Sequence, residues 1–486
     1  MKYVVALTII ATLILISIDP TNSASISFQD ITTQSGINVH EGTHGAFWAD
    51  ADGDNLPDLY LPQQVKTRSL QDLFFKNQGN GTFSQSATQR HINDPDGGSH
   101  GATWVDLDND GDYDLINGST KDWSNKPTPN DIYRNQSGWF DNVTPATLTQ
   151  NAQYTRATIA FDMNKDGRQD ILAISGPEGT TETDQNELYR NLGDFSFQTE
   201  AWSVAVTADA GQSALASDID GDGDLDLLLA NRTGRISYLR NGGWGNFTTV
   251  DPFWFGITHE WHEGGDGINT ADIDNDGDPD LLLTSDNTAQ LFINNGWGQF
   301  WLKTRWQNTQ GYMGGFADLD NDGDQDLIFA GQNQALLNDG RGNFTEKLWL
   351  PIPQMTDPRA IAFADIDNNG TQDFYVTDNN GLSRLIKTNN WSGNHWLKVD
   401  LISPAGERGA LGAKVTVYPH NNRWQRIGWQ EAISNRGYLA QNDPVLHFGL
   451  AQHTLVDIEV RYLNGRTTWR TAIPANQTIL IDGRTP

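Results

Sequence analysis

Asp106-Leu107-Asp108-Asn109-Asp110-Gly111-Asp112-Tyr113-Asp114 carries a carboxylate on every second residue and a glycine at its sixth position. Alternate carboxylates on one tight loop can converge on a single centre, as a hard cation with about six to eight oxygen ligands requires. Six more copies of the pattern run along the chain: DADGDNLPD from Asp50, DMNKDGRQD from Asp162, DIDGDGDLD from Asp218, DIDNDGDPD from Asp272, DLDNDGDQD from Asp318 and DIDNNGTQD from Asp365. Successive copies start 56, 56, 56, 54, 46 and 47 residues apart. Position 6 is glycine in six copies and Asn55 in the first, the residue types most at ease in left-handed geometry. Position 7 varies freely, as expected where only the backbone carbonyl contributes, and position 9 is always aspartate.

The expected ligands lie at positions 1, 3, 5 and 9. They are Asp50, Asp52, Asp54 and Asp58; Asp106, Asp108, Asp110 and Asp114; Asp162, Asn164, Asp166 and Asp170; and Asp218, Asp220, Asp222 and Asp226. The last three loops supply Asp272, Asp274, Asp276 and Asp280; Asp318, Asp320, Asp322 and Asp326; and Asp365, Asp367, Asn369 and Asp373. Up to seven Ca²⁺ ions are therefore expected, with the third and seventh sites weakest because Asn164 and Asn369 replace carboxylates. An EF-hand closes at position 12 and continues as a helix. Here the closing acid is at position 9, and runs such as Leu59-Tyr60-Leu61 and Leu227-Leu228-Leu229 follow, short enough to be buried strands.

Each loop is followed by a third strand, as in Ile132-Tyr133-Arg134-Asn135, then a glycine-containing hairpin and a fourth strand opening on an aromatic such as Phe83, Phe140, Phe247, Phe300 or Phe344. Four-stranded units repeating about every 50 residues describe a β-propeller, and seven blades fall within the permitted range. After the seventh loop a third strand near Leu382 to Lys387 has no fourth, but Ile26 to Thr32 resembles the fourth-strand stretch Trp139 to Thr144. The N-terminal segment is thus expected to complete the last blade and fasten the ring. From about Ser392 the acidic loops stop, and strand-like alternation runs through Trp396 to Leu401, Ala413 to Tyr418 and Val456 to Val460. The expected division is a signal peptide over 1–24, a seven-bladed calcium-binding propeller over 25–391 and a small β domain over 392–486.

Lys2 followed by an apolar run from Tyr3 to Ile18 reads as a secretory leader cleaved near Ser23 or Ala24, leaving no membrane span in the mature chain. With no cysteine, disulfides, thiolate metal sites and cysteine nucleophiles are excluded. A formal charge of −30, from 32 basic and 62 acidic residues, argues against nucleic acid or an anionic membrane as partner.

The loops with their following strand and hairpin resemble FG-GAP or VCBS-type repeats, the blade type of integrin α-chain propellers. The last domain resembles ASPIC/UnbV through Asn394-His395-Trp396-Leu397, Gly409 to Val415, Gly437-Tyr438-Leu439-Ala440-Gln441, Leu446-His447-Phe448-Gly449-Leu450 and Ala475-Asn476-Gln477. Together these are similar to the cartilage acidic protein 1 family. Tyr462-Leu463-Asn464-Gly465 departs from the Trp-Pro-Ser-Gly expected there. The resemblance implies a secreted calcium-binding protein acting in adhesion or matrix interaction.

Six residues before each loop stand His44, His100, Arg156, Gln212, Asp266, Tyr312 and Arg359, each followed by a mostly small residue. On an innermost strand they form a polar ring at the channel mouth opposite the loops, either capping the channel or binding a ligand. His40-Glu41-Gly42-Thr43-His44 spells HExxH, but that zinc chemistry needs a helix, and a glycine and a strand stand here instead. Two readings of function follow. One is a non-enzymatic adhesion or interaction module for an extracellular protein or polysaccharide, secreted, periplasmic or on the cell surface. The other is a carbohydrate-active enzyme, polysaccharide lyase-like, or a lectin, with its site at the channel mouth.

Overall fold

Every acidic loop joins two antiparallel strands, and the second begins on the loop's closing aspartate: Asp58–Leu61, Asp114–Ser119, Asp170–Ser175, Asp226–Asn231, Asp280–Ser285, Asp326–Phe329 and Asp373–Asp378. These second strands are buried throughout, which is why they read as continuous apolar runs and not as alternation. The computed structural model describes residues 26–485 except 65–69, 95–96, 121–127, 150–152, 177–184, 201–210, 232–235, 258–264, 286 and 310–312. The leader expected over 1–24 lies outside the described residues. None of the described helices is long and apolar enough to cross a membrane.

Seven blade sheets are present, and in all but the last the four blade strands follow in chain order from the axis outward. The innermost strands are Ala46–Ala49, Ser99–Val105, Thr155–Phe161, Gly211–Ser217, Gly265–Ala271, Gly314–Ala317 and Pro358–Ala364. Each packs against the next, and the last returns to the first, so the fold is a seven-bladed β-propeller. In the seventh blade the outer strand is Ile26–Asp30, which pairs antiparallel with Arg384–Asn390 from Ile26↔Asn390 to Asp30↔Ile386. The first strand of the described residues therefore fastens the last blade, as the sequence predicts.

After the ring come two sheets over a common core of Leu397, Val399, Val415, Val417, Phe448, Ile458 and Val460. One sheet places His395–Ile402 between Leu446–Ala451 and Gln477–Asp482; the other orders Gly428–Glu431, Lys414–Pro419, Leu455–Arg461 and Thr467–Pro474. The sequence suggests a self-contained domain, but the structure shows one that enters the ring. Ala440–Gln441 adds a parallel fifth strand to the first blade, pairing with Ala46 and Phe47.

The segment carrying that strand is a pin along the propeller axis. Ser434 Oγ accepts the amide of Ala160 (3.0 Å), Asn435 donates to the Ala214 carbonyl (3.4 Å) and Arg436 to the Thr270 carbonyl (3.5 Å). The Leu439 carbonyl accepts the Ala46 amide (3.0 Å), and Gln441 takes both backbone groups of Trp104 (2.8 and 2.9 Å). Asn442 Oδ1 accepts the Phe363 amide (3.0 Å), and the Asp443 amide donates to the Phe363 carbonyl (2.9 Å). Gly437 packs on Met313 of the sixth blade, so the pin touches all seven blades. The physical cause is the inner edge of each sheet: a buried edge strand leaves backbone donors and acceptors that must find partners. The pin supplies them.

Gly437 has φ +115°, and a Cβ there would overlap the Met313 side chain. Gly437→Ala is expected to cost about 1–3 kcal/mol through overpacking and backbone strain, read as a lower unfolding midpoint. Because the pin ties both domains together, calorimetry of the unmodified chain should show one unfolding transition. Separate melting of the C-terminal domain would contradict that coupling.

Candidate metal centres and the axial channel

The loops share one hydrogen-bonding plan. The carboxylate at position 1 accepts the amide of position 6 in every loop, and in loops such as these that of position 5 as well: Asp54 and Asn55 on Asp50 (3.0 and 3.0 Å), Asp110 and Gly111 on Asp106 (3.2 and 2.9 Å), Asp322 and Gly323 on Asp318 (3.1 and 2.9 Å). Position 6 has positive φ in all seven loops, as predicted, and so does position 4, from Asn368 at 53° to Gly53 at 76°. The second requirement was legible too, since asparagine or glycine fills position 4 everywhere except Lys165.

Carboxylate oxygens of Asp50, Asp52 and Asp54 all lie within 4.8 Å of one another, as do those of Asp106, Asp108 and Asp114, of Asp218, Asp220 and Asp222, of Asp272, Asp274 and Asp276, and of Asp318, Asp320 and Asp326. Oδ1 atoms of Asp52, Asp108, Asp218, Asp272, Asp274 and Asp367 are buried without a hydrogen-bond partner among the described residues. Buried acceptors left this way are costly unless a cation takes them. Burial, with neighbouring carboxylates adding to it, pushes Asp276 up to about 6 and Asp322 up to about 7. Burial likewise carries Asp106 to about 7 and Asp272 to about 8. The donor set is all oxygen and anionic, so it fits a hard metal ion.

The closing aspartate does a second job. In the second blade Asp114 Oδ2 accepts the Leu107 amide (2.9 Å) and Oδ1 the Asn135 amide (2.8 Å). Asn135 then donates to the Ala51 carbonyl in the loop of the preceding blade (2.7 Å). The same latch recurs at Asn77, Asn191, Asn241, Asn294 and Asn338, at 2.8–2.9 Å onto Ile366, Leu107, Met163, Ile219 and Ile273. Asn77 thereby joins the first blade to the seventh. In the seventh blade Thr388 takes the place of the asparagine and donates within its own blade, to the Gln372 carbonyl (2.7 Å). Sequence reasoning passed over these asparagines as turn residues, although their fixed place at the end of each third strand was the signal.

Counter-charges reach the loops from two directions. Third-strand bases lie on positions 3 and 5 of four loops: Lys76 on Asp52 and Asp54, Arg134 on Asp108 (3.2 Å), Arg240 on Asp220 (2.6 Å) and Lys387 on Asp367. In the fifth and sixth blades that position is Ile293 or Leu337. The C-terminal domain covers position 1 instead: Arg408 on Asp50 (3.2 Å), Lys414 on Asp218 (2.6 Å), Lys398 on Asp365 (3.0 Å), and the Gly449 amide on Asp318 (3.1 Å). A Cβ on Gly449 would overlap that carboxylate, which explains the glycine. His447 Nε2 meets Asn321 Oδ1 at 2.8 Å, and burial, aided by Lys398, lowers its pKa to about 3.

At the other end of the innermost strands, His100, Arg156 and Gln212 are buried, and His44 and Arg359 are partly exposed. Tyr312 and the Asp266 side chain lie outside the described residues. The small residues following the ring make room for the pin as well as for neighbouring strands: a Cβ on Gly45 would lie 2.7 Å from the Leu439 carbonyl oxygen, and one on Gly101 2.9 Å from Leu439 Cδ2. His40 to His44 contains no helix, so the HExxH resemblance has no zinc geometry.

Two substitutions probe this framework. Asn191→Ala orphans the buried Leu107 and Gln169 carbonyls and is expected to cost about 1–3 kcal/mol. Lys398→Met leaves the buried Asp365 unpaired, at about 3–5 kcal/mol. Denaturant titration measures both.

Comparison with known proteins agrees with this architecture. FG-GAP-like repeats match residues 162–229, 218–283, 272–329 and 318–376, and the ASPIC and UnbV family matches residues 403–485. Cartilage acidic protein 1 of Mus musculus is 24% identical over 231 residues, covering 45% of this chain and 34% of the relative. The Homo sapiens protein of that name is 23% identical over 230 residues, covering 45% and 33%. The match thus spans about a third of those relatives' length. Among solved structures, an Agrocybe aegerita lectin described as recognising non-reducing terminal N-acetylglucosamine shares 19% identity at a TM-score of 0.47, covering 70% of this chain and 87% of that one. BBS1N in its complex with ARL6DN shares 10% at 0.43, covering 72% and 92%. Neither superposition is close enough to bear on the site. The chain thus carries FG-GAP-like repeats followed by a match to the ASPIC and UnbV family, and over 45% of its length it is similar to cartilage acidic protein 1.

Proposed function

We propose that this is an exported, calcium-braced, non-enzymatic interaction module that presents a rigid disc to an extracellular protein or polysaccharide. The observation that carries it is the pin. The axial channel, the largest concavity a ring can offer a substrate, is filled by residues 434–443, and His100, Arg156 and Gln212 are buried beside it. A filled axis supports recognition at the surface over turnover in a cleft. Indoles suited to contact stand out there: Trp244 and Trp297, 83% and 80% exposed, occupy equivalent hairpins on the fourth and fifth blades, whereas Trp48 and Trp104 are core.

Ca²⁺ is the cation the loops suit best, since the oxygens they offer are carboxylates and carbonyls on tight turns. The fifth and sixth loops are the tightest sites in this reading, because each has four aspartates at the ligand positions and no third-strand base. Seven ions would bring the formal charge from −30 to −16. At extracellular affinities of about 10⁻⁴ to 10⁻³ M, about 1 mM Ca²⁺ adds roughly 0.4–1.4 kcal/mol per site.

EDTA should therefore lower the melting temperature markedly and Ca²⁺ restore it; a melting curve indifferent to both removes the calcium reading. Equilibrium dialysis of Asp274→Asn and Asp320→Asn should show loss of the tightest-bound ions. On a glycan array with a parallel turnover assay on uronic-acid polymers, binding without turnover is expected. Turnover abolished by His100→Ala would establish the enzymatic alternative.

A further inference from the structure

On the loop face of the ring the C-terminal domain reaches the first aspartate of six loops. Arg408 meets Asp50 through its guanidinium (3.2 Å) and Asp106 through its amide (2.9 Å). Lys414, Arg426, Gly449 and Lys398 approach Asp218, Asp272, Asp318 and Asp365 to 2.6, 3.9, 3.1 and 3.0 Å. The third loop is the exception. Asp162 takes the amides of Asn164, Asp166 and Gly167 from its own loop (3.3, 3.1 and 2.8 Å), and among the described residues nothing from the C-terminal domain bonds to it. A cavity of about 210 Å³ stands there instead, between the third loop and the turns of the C-terminal domain that carry Glu407 and Leu463.

The lining is of two kinds: carbon from Pro404, Leu411 and Leu463, and acceptors from Asp162, Gln169 and Glu407. Gln169 is 2% exposed, and its Oε1 is buried without a hydrogen-bond partner among the described residues. Such an acceptor is costly unless a donor reaches it. Glu407 is 1% exposed; its Oε1 accepts the Leu411 amide (3.1 Å), and no ion pair among the described residues reaches it. Lys165, the basic side chain of the lining, is held by Asp224 (2.8 Å). Neither Gln169 nor Glu407 occupies a ligand position of the loop, so an ion in the third loop takes neither. An apolar cavity of about 150 Å³ admits a benzene-sized guest, so this one has room for a short aliphatic chain and its head group. Asp166, Ala405 and Asn464 line it and are exposed, which opens it to solvent.

We propose that this cavity receives a lysine side chain presented by an extracellular protein partner, its ammonium taken by Glu407 and Gln169 Oε1 and its methylenes lying along Leu411 and Leu463. An ammonium has donors and no acceptor, and its stem is apolar, which matches a lining of acceptors and carbon. A formal charge of −30 favours a cationic partner. The proposal rests on the reading of the chain as an interaction module and adds the chemistry of the partner.

The test titrates the full chain calorimetrically, in Ca²⁺ at neutral pH, with Nα-acetyl-lysine methylamide and with its norleucine analogue, which keeps the aliphatic chain and lacks the charge. One saturable site with a Kd of about 1 mM is expected for the lysine amide, weakened about tenfold for the norleucine analogue and in Glu407→Gln. Ala405→Phe, at an exposed position of the entrance, should abolish uptake. In the unmodified protein the Gln169 side-chain amide resonances should shift on saturation, a readout that stands even where a variant does not fold. No saturable uptake, equal uptake of the norleucine analogue, an unmoved Gln169 amide, or uptake unchanged in both variants overturns the site. Glucosamine binding more tightly than the lysine amide overturns the protein source. Failure here alongside glycan-array binding without turnover leaves the interaction module standing, so the two readings fail separately.

Discussion

Concentration of negative charge on one face of the ring is the constraint that the remainder of the molecule answers. Seven loops bring their first aspartates toward the axis, and like charges this close and this buried repel strongly unless something neutralises them. The chain supplies part of the answer itself. Lys76, Arg134, Arg240 and Lys387 rise from the third strands, and Arg408, Lys414 and Lys398 come from the C-terminal domain. That domain is thus in part a counter-ion, positioned where the propeller alone is electrostatically unfinished. The fifth loop receives only Arg426, 3.9 Å from Asp272, and the sixth no ion pair among the described residues, so these two four-aspartate loops make the strongest case for a metal ion.

A second network works beneath the first. The closing aspartate gathers amides from its own loop and from the third strand, and the asparagine beside it reaches back to the previous blade. The candidate metal ligand Asp114 thus holds the backbone of the residue that makes the blade contact, so a change in the loop is felt at the seam. Six seams carry the asparagine latch; the seam between the sixth and seventh blades instead has Asn321 donating to the Gly370 carbonyl (2.9 Å).

Most of the ring was legible in the sequence, because its signal is repeated and local. The spacing of the aspartates gave the loops, the short apolar runs gave the second strands, and the missing fourth strand pointed to Ile26 through Asp30. The pin was not legible, for a physical reason. Ser434 through Asp443 is polar, irregular and unrepeated, and its hydrogen bonds to the blades run to residues from 79 to 393 positions away in the chain. No periodicity marks a segment whose partners are backbone edges from seven different blades. Gly437-Tyr438-Leu439-Ala440-Gln441 stood out only through family resemblance, and Gly449 likewise, until Met313 and Asp318 showed what each glycine accommodates.

The way the wheel is closed also dictates an order of construction. Ile26–Asp30 has no partner until Arg384–Asn390 has been made, and the inner edges stay bare until Ser434 through Asp443 arrive. Removing the last hundred residues takes away the pin and most of Arg384–Asn390, and so leaves the inner edges and Ile26–Asp30 without partners, the kind of bare strand edge that invites misassembly during folding.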